Sequence, residues 1–331
     1  MFSAADETFM RRALELAAMA MNHATPNPRV GCVLVRDGAV IAEGFTQRPG
    51  ELHAEAHAIK NARSKGLNLA GATAYVTLEP CNHFGKTPPC TEGLIGAGIT
   101  RVFAAMEDPN PMVSGTGLAR LRDAGVDVRV GLLSHDATEL NIGFIKRMTT
   151  GLPWVRAKVA ASMDGRTGLS NGESQWITGE EARRDGHRWR ARACAILTGS
   201  GTVKHDNPQM TVRGVTTTLP LRQPLRIVFD HLGELSSTAK VLQGGALVYC
   251  SERVPADLPS NVEVVQLPDA KQAGKIDLAA ALQDIGARGV NELHVEAGAR
   301  LSGPMVAAGL VDELLIYLAP KLLGRDAREM F

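Results

Sequence analysis

Apolar positions recur at helical spacing over residues 6–21, with Asp6 as the expected N-cap. Two short apolar runs, Val30–Val35 and Val40–Phe45, flank Asp37-Gly38, a dipeptide that suits the positive backbone angles of a tight hairpin turn. A helical pattern returns at 53–65, and Ala72–Leu78 (A-T-A-Y-V-T-L) reads as a buried strand. Helix and strand then alternate: 91–98 helical, Val102–Met106 extended, 115–124 helical, Val126–Val130 extended, and 134–149 a closing helix. This alternation predicts an α/β domain built on a mainly parallel sheet with helices on its faces. The segment Thr149–Pro153 (T-T-G-L-P) interrupts the pattern with Gly and Pro, dividing the chain into domains at 1–148 and 149–331. A second α/β set follows. Its strands are expected at 154–161, 193–198, 225–230, 246–250, 262–266, 292–296 and 312–318, with helices at 179–191, 277–287 and 301–309. Residues Arg213–Pro224 form a polar loop containing proline.

Composition narrows the class of protein. The 331 residues are about twice the ~150-residue prior for one domain, consistent with the boundary. Lys and Arg number 36 against 35 Asp and Glu, so the chain lacks the overall basic field usual in nucleic-acid binders. No apolar run approaches the ~20 residues of a membrane helix. The opening M-F-S-A-A-D-E is acidic where an export signal is basic, and a cytoplasmic protein is expected. The five cysteines do not suit a secreted disulfide framework. In a reducing compartment, clustered cysteines read as metal ligands or catalytic groups.

Such a cluster is present. His53-Ala54-Glu55 opens a helix, Glu79-Pro80-Cys81 ends a strand, and Cys90 follows. One His and two Cys supply three ligands to Zn²⁺ and leave a fourth position for water, the arrangement of a catalytic zinc. Zinc lowers the pKa of its water to about 7. Glu55, two residues beyond the His, could move a proton without ligating the metal. Taken singly, each residue reads more simply as an ordinary helix-surface residue or a buried cysteine. In this order they form the signature of zinc nucleobase deaminases, His-x-Glu followed by Pro-Cys and a second Cys. Here the two cysteines enclose the longer loop N-H-F-G-K-T-P-P, carrying His83, Lys86 and Thr87. Lys86 and Thr87 suit a phosphate, and Lys86 alone reads equally as a solvated surface charge. Asn27 could read a heterocycle or serve only as a turn residue between prolines. Asp108 and Asn110, in D-P-N-P after a strand, could face the same crevice.

The motifs H-A-E (53–55), T-L-E-P-C-N-H-F-G-K-T-P-P-C (77–90) and E-D-P-N-P (107–111) resemble the deaminase half of the bifunctional riboflavin biosynthesis deaminase/reductase. The second half continues the resemblance in K-V-A-A-S-M-D-G-R-T (158–167), G-E-S-Q-W-I-T (172–178), V-K-H-D-N-P-Q-M-T-V-R (203–213), V-E-A-G (295–298) and V-D-E-L-L-I-Y-L-A-P-K-L-L-G (311–324). The resemblance implies a cytidine-deaminase-like three-layer α/β/α domain followed by a dihydrofolate-reductase-like α/β domain. It implies deamination of 2,5-diamino-6-ribosylamino-4(3H)-pyrimidinone 5′-phosphate, then reduction of the ribosyl chain by NADPH to 5-amino-6-ribitylamino-uracil 5′-phosphate. His53, Cys81 and Cys90 would hold zinc and Glu55 would shuttle protons. Asn27, His83, Lys86, Thr87, Asp108 and Asn110 would bind the deaminase substrate.

The second domain is less explicit without that resemblance. It lacks a G-x-G-x-x-G fingerprint, and glycines such as Gly199, Gly201 and Gly298 at strand-to-helix turns could serve the turn alone or hold an anion. By resemblance, Ala161, Trp176, Thr202, Asp206 and the run Gly298, Ala299, Arg300, Leu301, Ser302, Gly303 and Pro304 would contact NADPH. Ser174, Arg190, Met210, Arg213 and Glu296 would contact the reductase substrate. The two arginines suit a phosphate, which a guanidinium grips in a bidentate fork. Trp176 offers a flat face to the nicotinamide or, alternatively, fills the core. The chain departs from the family at His231, where a small hydroxyl residue is usual. It also stops soon after P-K-L-L-G, so the reductase sheet is expected to lack its C-terminal strands, and an active deaminase beside an impaired reductase is the alternative reading. The family further implies a homo-oligomer through the reductase domain, no membrane and no nucleic-acid partner; a nucleic-acid deaminase on the same zinc fold is the competing reading.

Overall fold

Ser3, not Asp6, caps the first helix, α1 (Ala4–Met19): its side chain accepts from the Asp6 N–H at 3.2 Å while the Asp6 carboxylate accepts from the Ser3 N–H at 2.8 Å. Both residues are polar and close to the start, so the reciprocal box is missed when one cap is chosen. The structure, a computed structural model, describes residues 2–84, 88–111, 113–171, 173–174, 176–217 and 219–331. It divides into two units, Met1–Thr150 with Thr217–Pro220, and Gly151–Thr216 with Leu221–Phe331.

In the first unit the hairpin β1 (Gly31–Arg36) and β2 (Ala39–Phe45) turns at Asp37 and Gly38, with φ of 52° and 75°. There follow α2 (Ala54–Ser64), β3 (Thr73–Val76), α3 (Cys90–Gly96), β4 (Arg101–Ala104), α4 (Thr116–Asp123) and β5 (Asp127–Val130). The sheet order is β2-β1-β3-β4-β5. Only β3, β4 and β5 run parallel, because the hairpin sets β1 antiparallel to both its neighbours. The expected closing helix is two helices, α5 (Ser134–Leu140) and α6 (Ile142–Thr150). They break at Asn141, whose buried amide accepts from the Arg29 N–H at 2.8 Å and donates to the Arg29 carbonyl at 2.9 Å.

Strand alternation separates two cores. Cys32, Leu34, Ala74 and Val76 face α2 and α3, while Val33, Val35, Tyr75 and Phe103 face α1 and α5, giving the α/β/α layers. Gly44 brings α2 close: a Cβ there would lie 2.3 Å from the Ala54 carbonyl oxygen and 2.4 Å from the Ala58 nitrogen. Only glycine permits that approach, and α2 is the helix that starts at His53.

The second unit contains β6 (Trp154–Ser162), β7 (Arg166–Gly168), α7 (Glu180–Arg192), β8 (Ala195–Gly199), α8 (Ser200–Asp206), β9 (Leu225–Asp230), β10 (Ala246–Cys250), β11 (Val262–Gln266), α9 (Leu278–Ala287), β12 (Glu292–Val295), α10 (Ala299–Ala307), β13 (Glu313–Ala319) and β14 (Arg328–Glu329). Seven strands form one sheet in the order β11-β10-β9-β8-β12-β6-β13, every pair parallel. Helices α9 and α10 cover one face; α8 and the turn Lys240–Leu242 cover the other. The short elements α8, β7 and β14 escape the sequence pattern; β14 returns antiparallel on β7. Among the described residues no helix is long and apolar enough to cross a membrane.

Candidate active sites

The first site forms where three chain segments meet at one edge of the five-stranded sheet. His53 stands at the N-cap of α2 in extended conformation and makes no capping bond, which leaves its ring free. Cys81 follows the end of β3, and Cys90 is the first residue of α3. The Cys81 and Cys90 sulfurs lie 3.4 and 3.5 Å from His53 Nδ1, and all three donor atoms fall within 4.8 Å of one another. A tetrahedral zinc with bonds of about 2.3 Å to sulfur and 2.0–2.1 Å to nitrogen sets donor separations of roughly 3.5 Å, so the residues present fit that ion. The Cys90 N–H points at the Cys81 sulfur, 3.4 Å away. The hydrogen bond from the Cys90 side chain, with help from the His53 ring and the Cys90 N–H, holds the Cys81 thiol far below its usual range against burial, while Cys90 is pushed up by the neighbouring sulfur and by burial. A pair sharing its charge in this way is ready to yield both thiolates to a cation.

Glu55, in the first turn of α2, is 3% exposed. Burial, then the negative Cys81 sulfur, pushes its carboxyl up to about 7. A carboxyl poised near neutrality beside the donor triangle can both take and give a proton.

Topology brings the expected substrate residues to this edge. Because β1 is antiparallel to β3, the start of β1 adjoins the end of β3: the Gly31 N–H donates to Thr77 Oγ1 at 3.1 Å. Asn27, half-buried, precedes that point in a turn closed by its own N–H to Ala24 (2.8 Å). On the other side the Glu79 N–H bonds the Met106 carbonyl, so the loop after β4 leaves alongside Cys81. Asp108 sits there with its carboxyl raised by burial, then by the charges of Glu79 and Cys81, with His83 opposing. Asn110 follows, its N–H bonded to the Asp108 carboxylate at 2.8 Å. Lys86 and Thr87 lie outside the described residues.

The second site lies at the carboxyl ends of parallel strands, where the order reverses around β8, β12 and β6, the place where open α/β sheets take ligands. Ala161 is near the end of β6 and Thr202 and Asp206 are on α8. Gly298 caps α10, and residues 299–304 are its first turns rather than a loop preceding it. Ser302 is turned inward and donates to the Ala297 carbonyl at 3.2 Å. The Thr198 hydroxyl, at the end of β8, and one Asp230 carboxylate oxygen, at the end of β9, are buried without a protein partner. Unsatisfied polar atoms at strand ends fit a polar cofactor lying across them. Trp176 is 63% exposed, so it is no core tryptophan. Its ring lies 4.4 Å from the Arg183 guanidinium, and its carbonyl accepts from Lys321 at 3.0 Å. Ser174, half-buried, packs near Gly168 of β7.

Arg190 and Glu296, expected as separate substrate contacts, hold each other through two bonds of 2.5 and 2.9 Å. Arg190 also donates to the Thr211 carbonyl at 3.1 Å, drawing in the segment with Met210 and Arg213. Although burial opposes it, Arg190, with His294 and Lys158, keeps the Glu296 carboxyl well below the carboxylate range. The Met210 side chain is corrected to the core, 3% exposed beside Ile196 and Val228, and Ala161 is fully buried, so any ligand contact at either is made by backbone. Arg213 reaches Gln209 and Thr211 and keeps an exposed position. Sequence reasoning missed Arg183, Lys158 and His294. Lys158 and His294 share their strands with other charged residues, Arg156 on β6 and Glu292 on β12, so no local pattern singles them out. His231 accepts the Ile276 N–H on Nδ1 at 3.2 Å, an internal contact in place of the family's small hydroxyl.

Fold and site together define a zinc-dependent deaminase of the cytidine-deaminase-like class, joined to an NADPH-dependent reductase. Family models match in the same order: the cytidine and deoxycytidylate deaminase zinc-binding region over residues 3–106, and the RibD C-terminal domain over 153–331. The chain belongs to the RibD family of riboflavin biosynthesis enzymes and has both deaminase and reductase activities, using Zn²⁺ and NADPH. It is 47% identical to riboflavin biosynthesis protein RibD of Escherichia coli K12 over 334 residues, covering 98% of this chain and 90% of that one. The structure of Acinetobacter baumannii RibD superposes with a TM-score of 0.89 at 40% identity, over 99% of this chain and 90% of that one. A Thermotoga maritima diaminohydroxyphosphoribosylaminopyrimidine deaminase/5-amino-6-(5-phosphoribosylamino)uracil reductase also gives 0.89, at 37% identity and the same coverage.

Proposed function

We propose that the first unit deaminates 2,5-diamino-6-ribosylamino-4(3H)-pyrimidinone 5′-phosphate and that the second reduces the product's ribosyl chain to ribityl. The observation that carries the first step is the His53, Cys81 and Cys90 triangle with buried Glu55 beside it. Zinc held by those three residues supplies the Lewis acidity that makes water nucleophilic near neutral pH. Glu55 takes the proton that the attacking water loses and returns it to the departing amine. Asn27 holds the pyrimidine edge. Lys86, Thr87 and Asn110 hold the ribosyl phosphate, and His83 and Asp108 make further contacts to the substrate.

In the second unit Ala161, Trp176, Thr202, Asp206 and residues 298–304 bind the cofactor. NADPH supplies the hydride, and the protein's part is placement. Trp176, braced by Arg183, offers its exposed face to the nicotinamide ring. Ser174, Arg190, Met210, Arg213 and Glu296 receive the substrate. Arg190 is already locked onto Glu296, so Arg213 is the guanidinium better placed to grip a phosphate.

The two steps are separable by metal removal. Chelation of the full-length enzyme abolishes ammonia release and leaves NADPH oxidation on the deaminated intermediate at its original rate. Loss of both activities would contradict the division of labour.

Outward residues of edge strand β13, Leu314, Ile316 and Leu318, are 46%, 40% and 63% exposed. That apolar row supports a homo-oligomer formed through the reductase unit. Ile316→Glu is expected to convert the oligomer to a smaller species in light scattering. The five cysteines form no disulfide with one another, which supports a cytoplasmic setting.

A further inference from the structure

We propose that Glu79 is a positioning residue for deamination: its carboxylate fastens the substrate-facing turn at Asp108–Asn110, and the helix behind it, to the strand end that delivers Cys81. The inference rests on the reading that this turn holds the ribosyl phosphate.

Glu79 is 3% exposed, and its two oxygens accept four backbone N–H groups from one segment. Oε2 takes Asp108 at 3.0 Å and Gly115 at 2.9 Å; Oε1 takes Gly117 at 2.8 Å and Leu118 at 3.3 Å. Gly117 and Leu118 lie in the first turn of α4, whose N–H groups have no partners within the helix. The N-cap, Gly115, has no side chain to serve them, so a carboxylate from the segment after β3 does so. An anion at that end is also favoured by the helix dipole. The bonds are charge-assisted, and a buried carboxylate needs such donors to be tolerated at all.

Two further contacts make the attachment close. The Glu79 N–H bonds the Met106 carbonyl at 3.0 Å, anchoring the loop where it leaves β4. A Cβ on Gly117 would come within 2.0 Å of the Pro80 carbonyl oxygen, so α4 rests directly on the residue before Cys81. The metal ligand and the substrate turn therefore share one rigid joint, and Glu79 is its pin. An amide in its place turns an NH₂ group toward backbone donors and leaves two of the four unpaired.

Zinc-loaded full-length Glu79→Gln tests this. Its KM for the phosphorylated pyrimidine is expected to rise about tenfold or more, with kcat nearly unchanged. Zinc stays bound and NADPH oxidation on the deaminated intermediate is unaffected. Glu79→Asp, which keeps the charge on a shorter arm, falls between. An unchanged KM, a fall in kcat alone, or loss of zinc would overturn the proposal. Asn110→Ala separates the premise from the inference: it raises KM if the turn binds substrate, whatever Glu79 does. Should Glu79→Gln not fold, amide exchange in the unaltered enzyme decides. The N–H groups of Asp108, Gly115, Gly117 and Leu118 should be strongly protected, and rapid exchange there would refute the pin.

Discussion

Glu55→Gln lowers kcat for deamination by about 10³ to 10⁴-fold while zinc stays bound and the reductase keeps its rate. Glutamine has nearly the same shape, so the buried space beside Cys90 remains filled. It cannot take the proton that water must lose, nor hand one to the departing amine. Because Glu55 is outside the His53, Cys81 and Cys90 donor set, metal content measured on the purified variant should match the parent. The reductase, on the same chain, reports that the protein is folded. Deamination at more than a tenth of the normal rate would remove Glu55 from the mechanism.

Arg156→Met should be the most damaging single change to stability, costing about 3–5 kcal/mol in the reductase unit. Arg156 is 2% exposed on β6 and reaches Glu292 at 3.1 Å and Glu313 at 2.8 Å. The Trp189 ring lies 4.3 Å from its guanidinium. Glu292 is 1% exposed and cannot turn to water; Arg192, 2.7 Å away, only partly replaces the lost partner. All three tryptophans, Trp154, Trp176 and Trp189, lie in the second unit, so their fluorescence follows its unfolding in urea selectively. Adding Glu292→Leu to Arg156→Met should recover part of the loss, because the stranded charge goes too. A single variant within 1 kcal/mol of the parent would show that the pair is not a buried one in solution.

These two residues also mark what could be read from the chain. Glu55 was legible beside His53, Cys81 and Cys90 because few structures other than a zinc site need that donor set in that order. Arg156 was not, since a lysine or arginine on a strand normally faces water, and its acids arrive from residues 136 and 157 positions away. The same distance hid the Arg190–Glu296 pair and the break at Asn141, which answers to Arg29 at the far end of the domain. Local periodicity recovered the long strands and most helices. It missed α8, β7 and β14, which are held by tertiary contacts and are too short to show a period. Glu79 was visible as part of Glu-Pro-Cys, but nothing nearby in sequence hinted that its carboxylate serves amides from 108 to 118.

The insertion of β12 between β8 and β6 has a consequence for biosynthesis. Every strand of the first sheet has been made by residue 130, so the deaminase unit can collapse while the ribosome is still working. The reductase sheet cannot. Its two halves, β6 on one side and β8 through β11 on the other, wait as open edges until Glu292–Val295 emerges to join them. During that interval the nascent chain displays unpaired strand edges, which can template pairing with other chains.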